Sequence, residues 1–76
     1  MLAFLLCACS PGTEKELLEG LQIFKEIIET YIVYGEYDVI SKIEVPDLKQ
    51  LNNLIFKVRQ NDKLRTSSTL IVIGAD

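Results

Sequence analysis

Runs of apolar residues and changes in their period divide the chain into six predicted elements. Residues 1–9 are apolar or sulfur-bearing throughout, and Pro11-Gly12 ends the run. An apolar run of this length without alternation predicts a strand that is covered on both faces. Alternate side chains of a strand point to opposite sides. One side is predicted to carry Ala3, Leu5, Cys7 and Cys9, and the other Leu2, Phe4, Leu6 and Ala8.

Two segments have apolar residues at the spacing of a helix. Residues 13–16 have the S/T-x-x-E form of a capping box, which predicts that the first helix begins at Thr13. The second helix is predicted to begin after Pro46 with Asp47 as its cap. Gly20 lies inside the first pattern and indicates a place where the helix packs closely. The apolar stripes are Leu17, Leu18, Leu21 and Phe24 in the first helix and Leu48, Leu51, Leu54, Ile55 and Val58 in the second.

The remaining segments have the composition of strands. Residues 27–34 and 37–45 predict a hairpin with a tight turn at Gly35-Glu36, and residues 64–73 predict the last strand. The resulting order, β-α-β-β-α-β, indicates the ferredoxin-like α+β fold, a four-stranded antiparallel sheet with two helices on one face. Right-handed crossovers place the first and third strands in the middle of that sheet.

The apolar content predicts an oligomer. Apolar residues make up 49% of the 76, whereas a chain this short buries only about 60% of its unfolded surface. The first and last strands are apolar on both sides, but two helices cover only one face of the sheet. A second copy of the sheet is the simplest cover for the other face, which predicts a two-fold homodimer formed through the sheets.

Charge and residue usage exclude several classes of function. The net charge is −3 and the eight Lys and Arg residues are scattered, so direct binding to nucleic acid is not expected. The chain has no histidine, and no metal site, cofactor or catalytic group is predicted. Cys7 and Cys9 form a C-x-C pair that is able in principle to hold a soft metal. Buried free thiols are the preferred interpretation.

The N-terminal run has an alternative interpretation as an export signal, because residues 6–9 (LCAC) resemble a bacterial lipoprotein box. A secretory signal begins with a positive segment, and the first basic side chain here is Lys15. Nine apolar residues are too few to cross a bilayer. We therefore expect a buried strand with reduced thiols, in a cytoplasmic protein that does not associate with membranes.

The residues of the predicted hairpin resemble a known family. Residues 33–40 (VYGEYDVI) are similar to the G-x-Y-D turn of the effector-binding (RAM) domain of Lrp/AsnC transcription regulators. Residues 10–12 (SPG) match the family's turn after the first strand, and residues 47–54 match its second helix. Residues 64–69 (LRTSST) resemble its closing V-x-x-T-x-T pattern, with Ser67 in place of the first Thr. The resemblance covers 1–76 as a single domain without the family's helix-turn-helix domain, and so indicates a stand-alone RAM protein or a fragment.

The resemblance implies a non-catalytic domain that binds a small effector, typically an amino acid, and forms dimers that associate into octamers. It also implies transcription regulation through a helix-turn-helix regulator of the same family as partner. In that case the backbone at Gly35 binds an α-carboxylate and Asp38 pairs with an α-ammonium group. The implied ligand-binding residues are Tyr34, Gly35, Glu36, Tyr37, Asp38, Ser67 and Thr69.

Purely structural interpretations of these residues stay open. A two-residue hairpin itself favours a glycine with positive φ at position 35, and Asp38 is a common acceptor beside a turn. Ser67 and Thr69 are also ordinary strand residues. An oligomerisation domain without a small ligand is therefore the alternative function. An enzyme on the same fold is a third and weaker one, since a fold alone specifies no chemistry.

Overall fold

Strand β1 (Leu2–Cys9) lies in the middle of the sheet in the computed structural model, which describes residues 1–75. The other elements are α1 (Glu14–Gln22), β2 (Ile27–Ile32), β3 (Val39–Glu44), α2 (Leu48–Val58) and β4 (Leu64–Ile71). The four strands form one sheet in the order β2-β3-β1-β4, and all three pairings are antiparallel. The predicted fold class and the central position of the first and third strands are confirmed.

Burial alternates along β1 as the sequence predicts. Ala3, Leu5 and Cys7 are fully buried, because their side chains face the helices. The even-numbered residues of β1 are only half-buried and face away from the helices. The core on the helix side consists of Ala3, Leu5, Cys7, Cys9, Ile27, Val39, Ile43 and Val45 from the sheet side and Leu17, Leu21, Leu51, Leu54 and Val58 from the helices.

A tight turn connects β1 to α1. The Thr13 N–H donates to the Ser10 carbonyl at 3.1 Å, and Gly12 has φ +83°, which fits a type II turn with Pro11 and Gly12 at its centre. The predicted capping box at Thr13 is wrong. The Thr13 hydroxyl donates to the Ser10 carbonyl at 2.6 Å and makes no hydrogen bond to the helix, so it stabilises the turn instead.

Helix α2 begins where the sequence predicts. The Asp47 carboxylate accepts a hydrogen bond from the Gln50 N–H at 2.9 Å, which satisfies one free donor of the first turn. Leu51, Leu54 and Val58 of the predicted stripe are buried. Leu48 is 49% exposed, contrary to the prediction, since it belongs to the first turn of the helix at the margin of the core.

Neither of the two helices described within residues 1–75 has the length and apolar character of a membrane span.

The connection between β2 and β3 is longer than predicted. The hairpin itself is confirmed, but β2 ends at Ile32 and β3 begins at Val39. A six-residue loop, residues 33–38, replaces the predicted two-residue turn at Gly35-Glu36. The Val33 N–H donates to the Asp38 carbonyl at 2.8 Å, and this bond closes the loop. We refer to residues 33–38 as the hairpin loop.

The face of the sheet opposite the helices has an apolar centre. Cross-strand register places Leu2, Phe4, Leu6, Ala8, Ile40, Leu70 and Val72 on this face. Polar groups lie towards its β2 edge, where Lys42 and Glu29 form an ion pair at 3.9 Å and the Tyr31 hydroxyl donates to Glu29 at 2.7 Å. Strand β4 ends at Ile71, two residues earlier than predicted, and Ile73 is 99% exposed. We refer to this surface as the open face.

Gly20 lies against the segment that follows α2. A Cβ atom at position 20 would stand 2.6 Å from Nδ2 of Asn61, which is too close for a stable contact. The Asn61 side chain is itself held, because its Oδ1 accepts a hydrogen bond from the Lys63 N–H at 2.9 Å. The predicted close packing at Gly20 is therefore confirmed.

Replacing Gly20 by Ala tests this contact. The substitution gains about 1 kcal/mol of helix propensity, but in the wild-type chain it must displace the Asn61 amide. We expect Gly20→Ala to stabilise the protein only in an Asn61→Ala background, with a coupling of about 1 kcal/mol between the two sites in urea unfolding. Additive effects of the two substitutions would contradict the contact.

Candidate functional site

The hairpin loop projects from the end of the sheet at which β1 ends. Gly35 at its tip has φ +146°, a conformation that side-chain-bearing residues rarely adopt. Apart from its two neighbours in the chain, no residue has an atom within 4 Å of the place where a Cβ would stand, so the backbone here is open to approach by a ligand. Tyr34 and Glu36 are exposed, and Tyr37 is half-buried.

Asp38 connects the hairpin loop to β1. Its N–H donates to the Cys7 carbonyl at 2.8 Å, and its Oδ2 accepts a hydrogen bond from the Cys9 N–H at 2.9 Å. The carboxylate thus satisfies a backbone donor at the end of the central strand, which supports the structural interpretation of this residue. Only one carboxylate oxygen takes part in that bond.

Ser67 and Thr69 share one face of β4, as predicted. Ser67 pairs with Cys7 and Thr69 with Leu5, so both side chains lie on the helix side of an edge strand. Asp38 and Ser67 flank the same segment of β1 from its two sides. They are therefore about two strand spacings apart, roughly 10 Å, and Thr69 lies farther from the loop.

The structure therefore brings the predicted residues to one end of the sheet without bringing them all into contact. Residues 34–38 form one continuous loop, whereas β1 separates them from Ser67 and Thr69. The Cys9 N–H, which donates to Asp38, is not predicted from the sequence. A contact between positions 29 residues apart has no local signal in the sequence.

Both cysteines are free and buried in the described structure. Burial, with a smaller contribution from neighbouring Cys9, raises the pKa of the Cys7 thiol to about 12. Burial also raises the pKa of Cys9. Thiolates are the reactive and metal-binding form of cysteine, so these thiols behave as core side chains. Within residues 1–75 no three His, Cys, Asp or Glu side chains are grouped in a way that could hold a metal ion.

The sheet order and the helix positions define an α+β domain of the ferredoxin-like class. A family model described as the Lrp/AsnC ligand binding domain matches residues 2–75. The chain therefore belongs to the Lrp/AsnC ligand-binding domain family, as its hairpin and turn motifs suggest.

Relatives include longer regulators and chains of about this length. The HTH-type transcriptional regulator FL11 of Pyrococcus horikoshii is 32% identical over 73 residues, which are 96% of this chain and 48% of FL11. This chain thus spans about half the length of the curated relatives it matches. The crystal structure of FFRP-DM1 has a TM-score of 0.90 and 41% identity, with 95% of this chain and 97% of that one covered.

Two further structures show the same fold. The hypothetical protein PHS023 from Pyrococcus horikoshii has a TM-score of 0.89 and 40% identity, covering 97% of this chain and 90% of that one. AsnC of E. coli has a TM-score of 0.90 and 25% identity, covering 97% of this chain and 51% of AsnC. The fold is thus similar both to chains of about this length and to one part of a longer regulator.

The high pKa of Cys7 predicts a loss of stability at alkaline pH. In the unfolded chain the thiol ionises near pH 9, whereas the folded state keeps its proton up to about pH 12. Because the unfolded state loses this proton first, stability falls as pH rises through that window. Relative to Cys7→Ala, we expect the wild-type free energy of unfolding to fall by about 3 kcal/mol between pH 8 and 11.

Urea denaturation of both proteins under reducing conditions measures this difference. The two proteins differ only at position 7, so the comparison isolates the contribution of this thiol. Parallel pH profiles for the wild type and Cys7→Ala would contradict the burial of an uncharged thiol at this position.

Proposed function

We propose that the chain binds a small effector, an amino acid, at the hairpin loop and acts in transcription regulation through a partner. The observation that carries this proposal is the exposed loop with Gly35 at φ +146° in a chain that belongs to a family of ligand-binding domains. Free backbone donors at such a glycine suit a carboxylate. The Asp38 oxygen that takes no part in the bond to the Cys9 N–H suits an ammonium group.

The assembly that we propose is a homodimer formed through the open faces, with further association of dimers into an octamer. Its support is the apolar centre of the open face, where Leu70 is 51% exposed in the single chain and Phe4 is half-buried. Large exposed apolar patches are typical of interaction surfaces. A regulator of the same family with a helix-turn-helix domain is the proposed partner.

We also propose that DNA binding belongs to the partner, that the chain has no catalytic activity and that its location is cytoplasmic. The net charge of −3 disfavours direct contact with a phosphate backbone, so DNA binding is assigned to the partner. We propose no catalytic activity, in keeping with the family's description as a ligand-binding domain. A cytoplasmic location fits free buried thiols and relatives described as transcription regulators.

A second candidate function is a structural oligomerisation domain without a small ligand. The hydrogen bond from the Cys9 N–H to Asp38 at 2.9 Å favours it, because this contact gives Asp38 a structural role that needs no ligand. The two functions differ in whether metabolites change the melting temperature of the oligomer.

Asp38→Asn separates the structural task of Asp38 from ligand binding. The amide oxygen of Asn still accepts the Cys9 N–H, whereas the charge that attracts an ammonium group is lost. We expect thermal shift assays with each of the twenty amino acids at millimolar concentration to identify a ligand. Titration calorimetry is then expected to show about tenfold weaker binding to Asp38→Asn, with little change in melting temperature.

Asp38→Ala is the matched control for stability. It removes the acceptor for the Cys9 N–H and is expected to cost about 1–3 kcal/mol of stability. If no amino acid shifts the melting temperature of the wild type, the ligand-binding proposal is wrong and the structural alternative stands.

The proposed dimer is tested at Phe4, which pairs with Lys42 and Leu70 across the open face. A lysine at this position places a charge in the middle of the proposed interface, where burial without a partner is costly. We expect Phe4→Lys to sediment as a monomer at micromolar concentration in analytical ultracentrifugation, with an unchanged circular dichroism spectrum.

Ile23→Lys is the control, since Ile23 is 77% exposed beside the end of α1 and lies off the open face. This variant is expected to keep the wild-type mass. A monomeric wild-type protein, or an oligomeric Phe4→Lys variant, would show that the open faces do not form the dimer.

A further inference from the structure

A cleft lies at the start of β4, on the edge of the sheet that does not carry the hairpin loop. Its volume is about 400 Å³ and it is lined by Arg59, Leu64, Arg65, Thr66 and Ser67. Among residues 1–75, the lining includes two arginines and no acidic residue. A positive cleft of this kind is unexpected on a chain with a net charge of −3.

Arg65 reaches the cleft because the pairing of β4 with β1 is irregular at this point. Thr66 pairs with Ala8 and Leu64 pairs with Cys9, so Arg65 is an extra residue without a partner in β1. A bulge of this kind redirects a side chain relative to the regular ladder, and such bulges are common at sheet edges and next to functional sites. The extra residue here is an arginine at the rim of a cleft.

Arg59 approaches from the other side. It follows the last turn of α2, where its N–H donates to the Ile55 carbonyl at 3.0 Å and fixes the backbone. A cation at a helix C-terminus also stabilises the helix dipole, which explains Arg59 by itself. That role does not explain why a bulge brings Arg65 into the same cleft.

Neither arginine forms an ion pair among residues 1–75. Lys63, in contrast, has its Nζ 3.7 Å from carboxylate oxygens of both Glu16 and Asp62. Asp62, the acidic residue nearest to both arginines along the chain, is therefore paired with Lys63. Both arginines are exposed. The cleft therefore offers two arginine side chains, each with paired N–H donors, for a group that is not part of the described chain.

We propose that this cleft binds an oxyanion, a carboxylate or phosphate group carried by a small molecule. Arginine guanidinium groups match the geometry of both groups through paired N–H donors, and a cleft of this volume is large enough for a small metabolite. Arg59 and Arg65 take no part in the hairpin loop, so their variants separate this cleft from the loop. Ser67, which the family resemblance implies as a ligand-binding residue, also lines the cleft.

The test is titration calorimetry with inorganic phosphate and, separately, with succinate, at constant ionic strength. We expect saturable binding of at least one of the two, weakened about tenfold in Arg65→Gln and in Arg59→Gln. Arg65→Lys keeps the charge but loses the paired donors and is expected to bind more weakly than the wild type. Binding of phosphate alone indicates a phosphorylated ligand, and binding of succinate alone indicates a carboxylate ligand.

Lys49→Gln is the matched control, since it removes one exposed positive charge from the first turn of α2, away from the cleft. It is expected to bind as the wild type does. Absence of saturable binding in the millimolar range, unchanged binding in both arginine variants, or equal weakening by Lys49→Gln would each overturn the proposal. Melting temperatures of the variants verify that each one is folded.

Discussion

The hydrogen bonds along both edges of β1 hold this small domain together. β1 pairs with β3 on one edge and with β4 on the other, so it positions two of the other three strands directly and β2 through β3. Its helix-facing side chains are fully buried at Ala3, Leu5 and Cys7. A polar residue at one of these positions would leave an unsatisfied group in the core, which explains why these three positions are apolar.

The sequence predicted those features that are determined by residues close together in the chain. The strand at residues 1–9, the Asp47 cap of α2 and the close packing at Gly20 each follow from residue type and spacing. The end of β2 was not predicted correctly, because Val33 and Tyr34 are residue types typical of strands and yet lie in the hairpin loop. Bonds from Asp38 to Cys7 and Cys9 determine where β3 begins, and these partners are distant in the sequence.

The candidate site was predictable to the same extent. The hairpin motif correctly placed Gly35 at a positive φ, since few other residues adopt it. The distance between the loop and Ser67 depends on strand order, and the exposure of Arg65 depends on a one-residue irregularity in register. Neither property is encoded in the spacing of a motif, so the cleft at the start of β4 became visible only in three dimensions.

The position of β4 beside β1 also has a consequence for how the chain folds. Ala3 pairs with Ile71, so nearly the whole sequence lies between two residues that are neighbours in the sheet. Pairings of such long sequence separation slow folding, because the entropy of closing the loop is lost before the contacts form. During synthesis, β1 cannot pair with β4 until β4 has left the ribosome. Until then its apolar residues depend on β3 and the two helices alone for protection from aggregation.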